Sequence, residues 1–459
     1  MNRLSWVQPE DLVGHALHQA ELDGLDVSVE RRRWAAAGGE PEPVATGASP
    51  VPADPQLCSL AWRTLDEIDA RVSPYLRDEP EEWSELVALA PGLAAGARPV
   101  RSPGSPGFDR VHGGWLGRAA GCLLGKPVEK IPRAGIAEIL HATGRWPLDD
   151  WFTARGLPEQ VAARWPWNRR SAPTSLAENI DGMPEDDDLN FPMLNLALLE
   201  RAGTGFSTAD LAAHWLAELP AGRVFTAERV AYRNLLIGLE PPATARYRNP
   251  FRQWIGAAIR GDVYGWVRPG DVAGAAELAW RDAVLTHTGN GVYGAMFTAA
   301  LAAATTGPGP LGVEAVLDAA ESVLPAGSRL AEAVRFARGL PATCPDFEAA
   351  VDQLYQRYGQ LHWVHVLNNL ALVTAALVYG EGDFQRSICL VVSGGWDTDS
   401  NGATVGAVLG GLTGAERLPA RWTAPLRNRV ASSLTGFDGI GFDTLARRTM
   451  AVAQAEGRM

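Results

Sequence analysis

Apolar residues recur along most of this chain at the three- and four-residue steps of an amphipathic helix, and strand-like alternation with hairpin turns is scarce. Leu12, Val13, Ala16 and Leu17 mark helical patterning within 1–34, and Leu57, Leu60, Ala61, Leu65 and Ile68 mark a stripe within 57–92. The Ala-, Gly- and Pro-rich stretches 35–56 and 93–110 read as linkers or extended crossings. Further on, the pattern predicts helices over 208–219, 225–239, 271–286, 290–305, 311–324, 328–339, 345–358, 364–379 and 383–393. The expected class is all-α: a compact multi-helix bundle over 106–459, preceded by an N-terminal helical extension over 1–105.

Two stretches break the pattern with chemistry. The apolar pair Val391-Val392 runs into Ser393-Gly394-Gly395-Trp396, and Asp397, Asp399 and Ser400 follow before the small, apolar stretch that starts at Gly402. Hard oxygen donors therefore stand at the mouth of a buried helix. Close carboxylates repel each other unless a proton or cation relieves them, and a helix N-terminus supplies only about half a unit charge. A divalent cation suits such ligands. The plainer reading is a capping Asp or Ser with a second, solvated Asp. Glu185, Asp186, Asp187 and Asp188 form a second acidic mouth, between Pro184 and the apolar run from Leu194. A charge run is usually a solvated face, but two such mouths in one chain strengthen the metal reading.

Gly113, Gly117, Gly121 and Gly125 recur at four-residue steps, which puts small residues on one helix face for close helix contact. Arg118 opposes a membrane reading of this stretch, and Lys126-Pro127 departs from a phosphate loop. His287 and Asn290 precede a small-residue helix, and His365 lies beside Asn368 and Asn369 in an apolar one. A lone histidine in such a place is more often a hydrogen-bonded core residue than a ligand. Residues 144–180, rich in Trp, Arg, Pro and Asn, are expected to form an ordered surface loop able to shape a pocket wall.

Composition narrows the function classes. The 459 residues are 46% hydrophobic and 20% charged, an ordinary globular balance. A net charge of −12 argues against nucleic acid as a partner, while Arg169-Arg170 and Arg246, Arg248 and Arg252 leave room for local phosphate contacts. The four cysteines show no CxxC spacing, which suits reduced thiols in a cytoplasmic protein. Apolar stretches are interrupted well before the roughly 18 residues a membrane helix needs, so no membrane partner is expected.

Taken together, Gly121, Gly125, Pro127 and Glu129, the acidic run at 185–188, the His287 helix start and the Asp397-x-Asp399-Ser400 motif resemble the ADP-ribosylglycohydrolase family over residues 110–440. The resemblance implies an orthogonal all-α bundle with a centre of two Mg2+ ions (or Mn2+), acting on an ADP-ribosyl or related ribosyl substrate. It implies metal ligands Glu185, Asp186, Asp187, Asp397, Asp399 and Ser400, with Glu185 and Asp187 also catalytic; whether Glu185 is ligand or general acid or base stays open. Asp188, His287, Asn290 and Trp396 are the implied substrate contacts. Three departures place the chain in a divergent subgroup: Glu185 stands where many members have Thr, Cys122 where many have Asp, and Trp396 separates the double glycine from Asp397. A glycosidase acting on a free nucleoside-like metabolite and a non-catalytic, crystallin-like relative are the alternatives.

Overall fold

The computed structural model describes residues 7–42, 49, 51–94, 96, 105–308 and 312–456. Among them the chain forms 24 α-helices joined by short 3-10 turns, and its β pairing is limited to isolated bridges. Parts of the expected linkers 35–56 and 93–110 lie outside the described residues, and a helix has already begun at Ser105. No helix among the described residues is long and apolar enough to cross a membrane. The four cysteines are unpaired.

Eight helices position the site. They are α1 (Pro9–Leu22), α2 (Pro55–Asp69), α3 (Ser105–Gly125), α4 (Asp187–Ala202), α5 (Thr226–Leu236), α6 (Asn290–Thr306), α7 (Val366–Gly380) and α8 (Thr398–Thr413). The periodic stretches at 208–219 and 345–358 fold as Thr208–Glu218 and Phe347–Tyr358, each started by a side-chain cap, Ser207 and Asp346. Helix α6 is buried along its whole length, as its unbroken small and apolar sequence requires.

The spine is an antiparallel pair, α3 against α8. Gly113, Gly117 and Gly121 face Gly410, Gly406 and Gly402 in register, backbone against backbone, and a Cβ at Gly121 would stand 1.9 Å from the Gly402 carbonyl oxygen. Gly125 continues the series against Thr398, whose Oγ1 donates to the Gly125 carbonyl at 2.8 Å. The four-residue glycine step is therefore a helix–helix contact. Its consequence is positional: the end of α3 and the start of α8 meet at one point.

The N-terminal helices build a second apolar core of their own. Leu12, Leu17 and Trp34 pack with Ala61 and Leu65, and the cluster closes on Ala227 and Val230 of α5 and on Phe251 and Trp254. Leu86, Ala90 and Leu93 instead belong to the main core. An ion pair from Arg329 to Glu79 at 2.7 Å ties the segment between them to the bundle.

Candidate active site

The starts of α4 and α8 and the turn after α3 open into one cavity of about 1180 Å3. Glu129, Glu185, Asp186, Asp187, Asp397, Asp399 and Ser400 all line it. The Trp165–Arg170 segment forms part of its wall, as expected for the 144–180 loop, and Asn168 donates to Glu129.

Neither acid of the 397–399 motif behaves as a cap or a solvated charge. Asp397 occupies the N-cap position of α8 but makes no side-chain capping bond, and Asp397 and Asp399 are only 5% and 7% exposed. The turn that delivers them passes through two left-handed residues, Gly395 (φ 83°) and Trp396 (φ 56°). A tryptophan in that region is strained by about 1–3 kcal/mol, and local packing holds it: its ring stacks on Tyr355 at 4.3 Å, while the Tyr355 hydroxyl donates to the Gly394 carbonyl. Asn369 of α7 secures the next residue, accepting from the Asp397 backbone N–H at 3.2 Å and from Asn401 at 2.7 Å.

Electrostatics divide the acids into two sets. Asp186 caps α4 by accepting from the Asp188 N–H at 2.9 Å, and the buried Lys126 ammonium touches it. Burial pushes the Asp186 carboxyl up, but Lys126 outweighs this and holds it below its ordinary value. The other set has no such partner. Burial, then Asp186 and Asp399, push Asp187 well above the carboxylate range. Burial, then Asp399 and Glu129, do the same to Asp397, and Asp399 is pushed up to about 7 by burial, then Glu129 and Asp186. Ionised together in water-poor surroundings, these groups repel strongly.

Glu185 differs from its neighbours. It accepts from Asn190 Nδ2 at 3.0 Å and from the Ser433 N–H at 2.8 Å, and it pairs with Arg223 at 2.9 Å. Burial raises its carboxyl, but the hydrogen bonds from Ser433 and Asn190 prevail and hold it below its ordinary value. Asp188 lies one layer deeper, outside the cavity lining. It is 2% exposed and locked between Arg118 at 3.0 Å and the Ser400 hydroxyl at 3.0 Å. It thus links α3, α4 and α8 where a substrate contact was expected.

Donor atoms of Cys122, Asp186 and Asp188 also lie within 4.8 Å of one another. Lys126 already pairs with Asp186 and Arg118 with Asp188, and burial pushes the Cys122 thiol well above its ordinary value. The cavity-facing acids without a buried cation paired to them are Glu129, which pairs only with the exposed Lys130, and Asp187, Asp397 and Asp399.

The remaining expected contacts lie elsewhere. His287 is 1% exposed, with Nδ1 2.6 Å from the Thr286 hydroxyl, and Asn290 is fully buried, donating to Gln253 and accepting from the Leu330 N–H. Trp396 is committed to Tyr355. None of the three lines the cavity. Lys126, Arg118 and Asn369, which sequence reading left unassigned, carry the supports. Lys126 has a local signal, as a charge inside the Gly-x-Pro-x-Glu turn; Asn369 has one only in being polar on an otherwise apolar helix.

Arg118 is completely buried and also pairs with Asp262 at 2.5 Å. Replacing it with alanine strands two buried carboxylates, and Arg118→Ala is expected to cost about 3–5 kcal/mol in chemical denaturation. Adding Asp262→Asn should return part of that loss; an unchanged midpoint for Arg118→Ala would refute the pairing.

The profile of the ADP-ribosylglycohydrolase family matches residues 104–457. The chain belongs to the ADP-ribosylglycohydrolase family. The family is one of glycohydrolases acting on ADP-ribosyl linkages, and its match starts beside the first residue of α3, leaving the helices before Ser105 outside it. No curated protein matches the chain. Among solved structures, a chain of an "ADP-ribosylglycohydrolase-related protein complex" is similar at 20% identity and a TM-score of 0.44, covering 77% of this chain and 98% of that one.

Proposed function

We propose that this ADP-ribosylglycohydrolase family member is a metal-dependent hydrolase that cleaves an N- or O-linked ADP-ribosyl bond, using two divalent cations, Mg2+ or Mn2+. One observation carries the reading: Glu129, Asp186, Asp187, Asp397 and Asp399 converge from three distant chain segments on one cavity whose acidic floor holds a single buried ammonium, Lys126. These five carboxylates outnumber the buried Lys126 ammonium and the exposed Lys130 that pairs with Glu129 at 3.1 Å, and divalent cations would balance the excess. The donors fit, being hard oxygens with Asp187 and Asp397 free of capping or ion-pair duties. Glu129, Asp187, Asp397, Asp399 and Ser400 would hold the ions, with Asp186 oriented beside them by Lys126. Bound there, the cations would orient the ribose diol and polarise a water.

The chain's own residues supply the rest. Glu185 borders the cavity ionised, held by Asn190, Ser433 and Arg223, so it suits the acceptance of a proton from attacking water better than the donation of one. The guanidinium groups of Arg169 and Arg170 are exposed at the cavity rim with no partner among the described residues, and they suit a diphosphate. The distinguishing experiment is isothermal titration of ADP-ribose into the protein with Mg2+, then with EDTA. Tight binding that EDTA abolishes is expected. A protein that holds Mg2+ but ignores ADP-ribose would shift the reading to a different ribosyl metabolite, and one that holds no metal would leave a binding or structural role.

A further inference from the structure

A further carboxylate borders the cavity away from the acidic floor. Glu228 of α5 is 3% exposed, yet it lines the cavity together with Phe225, Trp254 and Ile255. Its side chain is held from behind. Arg260, itself 1% exposed, donates Nη1 to Glu228 Oε1 at 2.7 Å, Nε to Asp282 at 2.6 Å and Nη2 to Thr286 Oγ1 at 2.8 Å.

The two acids on Arg260 are not equivalent. Asp282 is saturated, because Tyr264 (2.7 Å) and Asn195 (2.6 Å) donate to its second oxygen. For Glu228, Arg260 is the one side-chain donor among the described residues. His287 stands 3.9 Å from Glu228, but its Nδ1 is engaged with Thr286, and burial together with Arg260 keeps the ring neutral. One guanidinium is shared between two acids, burial raises the Glu228 carboxyl despite Arg260, and the member with fewer donors is the one on the cavity wall. A structural partner for Arg260 alone would need no cavity exposure, since Asp282 already neutralises it.

The wall around Glu228 is rigid. The opposite face of α5, through Ala227 and Val230, packs into the N-terminal core with Leu12 and Leu17, and Trp254 belongs to that core too. Gly256 lets the backbone close against the carboxylate, since any Cβ there would meet Glu228 Oε1. The N-terminal helices thus brace a wall of Phe225, Trp254 and Ile255 with one preorganised acceptor, the composition of a site that reads orientation.

We infer that Glu228 is a specificity-determining residue that accepts a hydrogen bond from a planar N–H donor of the substrate, either the exocyclic amine of an adenine base or the guanidinium of a leaving group. The inference rests on the ADP-ribosyl reading above and deepens it. An acceptor built this way rejects a ligand that presents an oxygen in place of the N–H, because the buried carboxylate then faces a lone pair.

The test is titration of the Mg2+-loaded full-length protein with ADP-ribose, with its hypoxanthine counterpart, in which a carbonyl replaces the amine, and with agmatine. If Glu228 reads the base, ADP-ribose binds about tenfold or more tighter than the hypoxanthine analogue, and Glu228→Gln, whose amide can donate, narrows or inverts that preference. If it reads the leaving group, agmatine binds saturably to the wild type and fails to bind Glu228→Gln. Equal binding of the two nucleotides together with no agmatine binding overturns the inference while leaving the ADP-ribosyl reading intact. Absence of ADP-ribose binding overturns that reading instead, and agmatine alone then decides the role of Glu228. Because the base comparison is made on the wild type, it holds even if Glu228→Gln does not fold.

Discussion

Asp397→Asn is expected to abolish hydrolysis and to remove the thermal stabilisation by Mg2+, while raising the melting temperature of the metal-free protein. The opposite signs follow from the site. Asp397 is buried against Asp399 and Glu129; burial first, and then these two acids, push its carboxyl well above its ordinary value. A carboxyl raised in this way contributes stability that is fully present below its unfolded pKa and is lost as pH rises through the folded one. Toward neutral pH that stability is therefore being lost, a cost that asparagine, of equal size and unable to ionise, does not carry. With metal bound the balance reverses. A cation at about 100 times its dissociation constant stabilises the folded state by about 2.7 kcal/mol, and a variant lacking a central ligand forfeits that gain. Melting curves of both proteins in Mg2+ and in EDTA decide the matter. A variant that retains full Mg2+-dependent stabilisation would remove Asp397 from the metal site.

Gly121→Ala is expected to destabilise the protein by about 3 kcal/mol or more and to weaken metal binding at the same time. Alanine in a helix interior normally gains about 0.5–1 kcal/mol over glycine. At Gly121 that gain is overrun, because the new methyl would stand 1.9 Å from the Gly402 carbonyl oxygen and the two backbones would have to part. Parting them displaces the end of α3, with Lys126 and Glu129, from the start of α8, with Asp397 and Asp399. Gly339 provides the control. It ends a helix with an ordinary φ of −79°, and a methyl added there would meet nothing within 4 Å. Gly339→Ala should be neutral or slightly stabilising and leave Mg2+ affinity unchanged. Urea denaturation and Mg2+ titration of the two variants test both claims, and equal midpoints would show that the glycine contact carries no special load.

Much of the architecture is legible in residue order because helix periodicity is local. The apolar step that predicts 290–305 also buries Asn290–Thr306, and Phe384–Ser393 lies where 383–393 was expected. The two acidic helix mouths are legible for the same reason: each is a few consecutive residues at the start of an apolar run. The glycine step is a further local pattern, and it announces a close helix contact.

The partner in that contact is a different matter. Periodicity reports which face of a helix is apolar, and says nothing of which other face it meets. That α8 is the helix against α3, and that Glu129, Asp187 and Asp397 consequently share one cavity, is decided by packing between segments more than two hundred residues apart. The same holds within a single acidic run. Glu185, Asp186, Asp187 and Asp188 are neighbours in sequence, yet Asn190 and Ser433 claim the first, Lys126 the second, the open cavity the third and Arg118 the fourth. Glu185 precedes α4, Asp186 caps it in an extended conformation, and Asp187 and Asp188 open it with side chains about 100° apart, so adjacent, chemically similar acids enter four different environments. His287 and Asn290 looked like a site in sequence and are interior supports, whereas Glu228, which nothing in the local sequence distinguishes, reaches the wall. What a side chain is made of was written in the chain; what it faces was settled by the long-range fit of one helix against another.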